Sequence, residues 1–120
     1  MRSFEMDLSS YEGVEGKIEL FAPGEIQRLK MSRLIDVPLD KNGRPKTENK
    51  EWAQKHPGES VDMLIRMLEA TKGYFKSVHV KLDDIEAKSY EELESYPEFS
   101  QILYDAAGLI MQAGRLGKSK

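Results

Sequence analysis

The chain has 120 residues, a formal net charge of −3 and no cysteine. This is the length of one domain with a real core, and the charge excludes a protein drawn as a whole to nucleic acid or to anionic lipid. The missing cysteines remove a disulfide framework, a thiolate nucleophile and a cysteine zinc site, and agree with a reducing, cytoplasmic setting.

Phe4, Met6 and Leu8 alternate with Ser3, Glu5 and Asp7, the period of a half-buried strand. Ser9 to Gly13 reads as a turn. Val14, Ile18 and Leu20 alternate with Glu15, Lys17 and Glu19 as a second strand, and the short connection predicts an antiparallel hairpin. Pro23 suits the first turn of a helix. Ile26, Leu29, Met31 and Leu34 carry that helix to about Ile35, and Asp36-Val37-Pro38 ends it.

Residues 36–58 form a polar excursion. Turn residues crowd Asp40 to Pro45. Thr47 is the expected cap of a short helix through Lys55 with Trp52 as its anchor, and His56-Pro57-Gly58 breaks it.

Ser60 to Phe75 is the central helix. Val61, Leu64, Ile65, Leu68 and Phe75 share one apolar face; Met63, Met67, Ala70 and Tyr74 form a second stripe. A helix apolar on two faces needs two covers, and the second is either the same chain or another molecule. Val78, Val80 and Leu82 alternate with Ser77, His79 and Lys81 as a third strand. Asp83-Asp84 turns the chain, and Ser89-Tyr90-Glu91-Glu92 has capping-box spacing. Pro97 opens a last helix with Phe99, Ile102, Leu103, Ala106, Leu109, Ile110 and Ala113 on its main face. Tyr104, Ala107 and Met111 form a second strip, and Gly114 is the expected cap before a basic tail, 115–120. The expected fold is a single α+β domain over 1–120: a small antiparallel sheet, the N-terminal hairpin plus one later strand, covered by about four helices.

Chemistry is sparse. His56 and His79 fall on a loop and a strand, with no His-x-x-x-His helix and no Gly-x-Ser-x-Gly elbow. Asp36, Asp40 and Asn42 miss the calcium-loop spacing, since Pro38 and Asn49 stand where ligands belong. The acidic run from Asp83 to Glu94 is explained by a turn and a helix start. Gly114 to Ser119 is too short for a phosphate loop and follows a helix. The expectation is therefore no catalytic, cofactor-binding or metal-ligating residue. No apolar run reaches ~18 residues, so no membrane span is expected. The N-terminal residues lack the apolar core of a secretory signal. Lys41, Arg44, Lys46, Lys50 and Lys55 around Trp52 give a second reading, a small nucleic-acid-binding accessory protein, which Asp40, Glu48 and Glu51 dilute.

Three stretches carry a resemblance. Phe4 to Phe21 run into Ala22-Pro23-Gly24-Glu25-Ile26. Lys76 to Leu82 are followed by Ser89-Tyr90-Glu91-Glu92-Leu93. The tail ends Arg115-Leu116-Gly117-Lys118, and Gly117-Lys118 is one translation of a ribosomal slip site. In this layout the chain resembles the tail assembly chaperones of long-tailed bacteriophages. The resemblance implies a non-enzymatic protein in the host cytoplasm. Such a protein coats the tape-measure protein, self-associates, and through a slipped longer product recruits the tail-tube protein during virion morphogenesis. On this reading Met63, Met67, Tyr74, Tyr104 and Met111 supply interaction surface, with Trp52 on the excursion; methionine adapts to varied apolar partners.

Overall fold

Alternation of apolar and charged residues builds the sheet. The computed structural model describes residues 2–35, 41–42 and 49–113. Strands β1 (Ser3–Glu5), β2 (Val14–Phe21), β3 (Phe75–Leu82) and β4 (Ile85–Ala87) form a sheet in that order, every pair antiparallel. Phe4 faces Leu20, Ile18 faces Val78 and Val80 faces Ala87, all turned to the core. The expected sheet of a hairpin plus one strand thus gains a fourth strand, β4, whose three residues are too few to show alternation. β1 is shorter than expected; Met6 leaves the ladder but donates its N–H to the Ile18 carbonyl (2.9 Å), and both Met6 and Leu8 are buried.

Phe75 and Val78 both face inward although three positions separate them. A bulge absorbs the odd spacing: Glu19 pairs with Ser77 but Leu20 with Phe75, leaving Lys76 as the extra residue. Lys76 therefore turns outward to reach Glu19 (3.5 Å).

The helices among the described residues are α1 (Glu25–Ile35), α2 (Lys50–Lys55), α3 (Pro57–Thr71), α4 (Tyr90–Ser95) and α5 (Ser100–Ala113), five against the expected four or so. Pro23 precedes α1, and the Gly24 carbonyl takes the first helical bond, from Arg28 N (2.9 Å). Asn49, not Thr47, caps α2: its Oδ1 accepts from the N–H of Glu51 (2.9 Å) and Trp52 (3.2 Å). Thr47, with residues 36–40 and 43–48 of the excursion, the expected cap Gly114 and the 115–120 tail, lies outside the described residues. The short helix ends at Lys55 as expected, and Pro57 also starts α3, because proline at the first helical position gives up no bond. The central helix thus begins three residues before Ser60 and ends at Thr71 in a 3-10 turn over Lys72–Tyr74. Ser89 caps α4 through Glu92 N (3.2 Å), while the Glu92 carboxylate reaches back to Lys88 N (3.3 Å).

α4 and α5 cover one face of the sheet. Phe99, Ile102, Leu103, Ala106 and Ile110 meet Ile18, Leu20, Val78 and Val80 in one core with Leu93 and Tyr90. α3 packs on α5, and α1 on α3. No helix is long and apolar enough to cross a membrane among the described residues. Within α5, Gly108 has open space where a Cβ would stand. Gly108→Ala should therefore stabilise the fold by about 1 kcal/mol, the interior helix cost of glycine. A rise in the urea midpoint at constant slope checks it.

Candidate protein-binding surface

α3 shows its two apolar sets in the opposite sense to the simple i, i+3, i+4 reading. Met63 and Thr71 are buried, and Met67 and Ala70 are half-buried on the same side. Val61 and Ile65, placed at the centre of the main face by periodicity, are exposed. Leu64 and Leu68 lie half-buried between the two sets. The methionine side faces the interior, and Thr71 satisfies its hydroxyl there by donating to the Met67 carbonyl (2.8 Å).

The sequence-derived interaction residues are placed accordingly. Met63 is buried; Met67, Tyr74, Tyr104, Met111 and Trp52 are half-buried. Tyr74 and Met111 pack against the core cluster. Tyr104 and Met111, seven residues apart, share one edge of α5. Trp52 stacks on His56 with ring centroids 4.5 Å apart, so one face of the indole is already covered. His56 Nδ1 lies 2.9 Å from the Trp52 carbonyl, which fixes Nδ1 as the donor.

The largest free apolar surface lies elsewhere. Ile26 (64% exposed), Leu29 and Leu34 (67%) are on α1, Val61 and Ile65 on α3, and Leu109 on α5. α1 buries only Met31 and Ile35. Its opposite side presents Ile26, Leu29, Lys30, Arg33 and Leu34, spaced i, i+3, i+4, i+7, i+8, and hence one strip. On α3, Val61, Ile65 and Glu69 stand at i, i+4, i+8 with Asp62 beside them, and all four are exposed. Sequence reasoning used the α1 residues only as helix markers. The available signal was that Met31 and Ile35 make one inward stripe while three other large apolar residues fall outside it.

The outer sheet face is polar. Lys17 bridges Glu19 (3.2 Å) and Glu5 (3.9 Å), Lys88 reaches Glu86 (3.3 Å), and His79 Nε2 is 3.0 Å from Glu86. The His79 hydrogen bond, then Lys88, hold the Glu86 carboxyl below its usual range. These groups are exposed, so water and salt screen the pairs and they hold little of the fold. Among the described residues, no group of three or more His, Asp or Glu is arranged to hold a metal ion.

One polar contact ties the β1–β2 loop to the last helix. The Tyr11 hydroxyl donates to Asp105 Oδ2, while Gln101 Nε2 holds Oδ1 at 2.9 Å. Burial first, then the Asp105 hydrogen bond and charge, raise the Tyr11 phenol well above its ordinary value. Tyr90 is pushed up to about 12, by burial first and then by Glu94. A raised phenol pKa means the folded state keeps protons that the unfolded chain releases. The stability it contributes is complete below the unfolded pKa near 10 and is lost as pH rises beyond it. Tyr11→Phe should cost about 1–2 kcal/mol at neutral pH, and the variant should lose less stability above pH ~10 than the parent. Urea titrations at neutral and alkaline pH measure both.

Scanned against protein-family models, curated proteins and solved structures, the chain matches none of them. Its most distinctive surface is two charged, apolar helical strips on adjacent helices, with no covering element among the described residues.

Proposed function

We propose that the protein is a non-enzymatic assembly chaperone of the phage-tail type. It would bind the apolar tape-measure protein in the host cytoplasm, self-associate, and pass its client to the tail-tube protein. The observation that carries this reading is the apolar surface left exposed on three helices, Ile26, Leu29 and Leu34 on α1, Val61 and Ile65 on α3 and Leu109 on α5, which self-association and client binding share between them. Large apolar side chains left exposed in number on a small domain point to protein interaction. A long client helix meets such a surface through side chains repeating every three or four residues. Tyr104 and Met111, half-buried on the opposite edge of α5 from Leu109, offer a second, smaller apolar contact.

The test is co-expression with the tape-measure protein of the same gene cluster. The client should move from the pellet to the soluble fraction and co-purify with the chaperone. Leu109→Lys should weaken that recovery without unfolding the domain, since Leu109 stands at the rim of the buried face. A client that stays in the pellet, or a gene cluster with no long helical reading frame, overturns the proposal.

A further inference from the structure

The α1 and α3 strips differ in charge. Lys30 and Arg33 punctuate the α1 strip; Asp62 and Glu69 punctuate the α3 strip. None of these four groups has an ion-pair partner among the described residues, whereas Arg28 on α1 is matched within its own helix by Glu25 at 2.7 Å. Beside the α3 strip, Glu59 adds a further anion and Arg66 one cation. Each strip covers eight residue steps, from Ile26 to Leu34 and from Val61 to Glu69, or ~12 Å of helix. The lengths match, both strips carry exposed large apolar residues, three on α1 and two on α3, and the charges are opposite.

We infer that this surface binds a second copy of the same chain, with α1 of one protomer laid on α3 of its partner. α1 packs directly on α3, and in the proposed arrangement the partner sets its α3 on α1 and its α1 on α3. The contact is then made twice, related by a two-fold axis, and it closes as a dimer. A head-to-tail contact would leave one strip of every terminal protomer bare and would continue as a filament. The self-complementarity also argues against a general apolar client on these two helices, since a client would have to carry cations for α3 and anions for α1 side by side. Apolar contact supplies the attraction and the charges set the pairing.

The inference deepens the protein-binding reading above by naming the occupant of α1 and α3, and leaves α5 to the client. The two can fail separately: client recovery tests the function, and the mass of the isolated chain tests the dimer.

Sedimentation equilibrium of the purified chain, over a wide concentration range at low salt, should show a reversible monomer–dimer equilibrium. Lys30→Glu with Arg33→Glu makes both strips acidic; Asp62→Lys with Glu69→Lys makes both basic. Each double variant alone should sediment as a monomer, with self-affinity lowered by on the order of 100-fold. Mixed in equal amounts, the two should form a one-to-one heterodimer, because each acidic strip then meets a basic one. That rescue separates interface charge from any general damage to the fold. A wild-type chain that is monomeric throughout, variants that associate as tightly as the parent, or a mixture that stays monomeric would each overturn the dimer.

Discussion

Phe99→Ala should remove about 3–5 kcal/mol of stability, a large part of the ~5–15 kcal/mol a domain of this size holds. Phe99 is the bulkiest of the fully buried side chains. It sits in the 3-10 turn Pro97–Phe99 that leads into α5, and its ring meets Tyr96 edge-on at 5.9 Å. Truncation would leave a cavity bounded by neighbours on the sheet and on α4 and α5, each anchored in its own backbone ladder. Such walls collapse poorly, so the upper half of the range is expected. A urea titration should show a much lower midpoint at nearly constant slope; a shift under about 1 kcal/mol would mean that Phe99 does not sit in the core.

Gly16→Ala should be the other severe substitution, by a different mechanism. Gly16 lies mid-strand in β2, opposite Val80, with φ +126°, a region that side chains rarely adopt. A Cβ there would stand 2.0 Å from the His79 carbonyl oxygen and 2.9 Å from Val80 Cα. Both are backbone atoms of the neighbouring strand and cannot swing aside. The strand pair must separate or Gly16 must change conformation, at a cost of about 2–4 kcal/mol when strain and clash combine. The contrast with Gly108→Ala is the sharper measurement: the same added methyl is expected to destabilise in the strand and stabilise in the helix. Equal effects at both positions would refute the register of β2 against β3.

The α+β class was legible because three strands alternate cleanly and α5 carries an unbroken apolar face. β4 was not, since Ile85-Glu86-Ala87 lies inside an acidic run that already had an explanation as a turn and a helix start. The break at Pro57 was legible, but the start of the central helix was set three residues late, because proline ends one helix and begins another with equal ease. The orientation of α3 was the deepest ambiguity. Its methionine stripe and its Val61–Ile65 stripe are comparably apolar, and only packing against α1 and α5 selects between them. The candidate surface was hidden for the same reason. Ile26, Leu29 and Leu34 are sound helix residues, and the sequence does not mark which side of α1 is left bare. Trp52 is the reverse case: a prominent residue on a basic stretch whose ring is partly occupied by His56.

β2 and β3 are neighbours in the sheet, yet residues 22–74 run between them, including α1, α2 and α3. Closing the central pair therefore fixes the ends of a long loop before any of its helices has a base to dock on, which places this step among the slow ones in folding. The hairpin of β3 and β4 together with α4 and α5 is contiguous in sequence and supplies most of the core. It can assemble first as a template onto which β2, and then the helical insert, are added. The same order run backwards would let the insert detach while the rest persists, which would put the exposed strips of α1 and α3 in the part of the molecule that opens most readily.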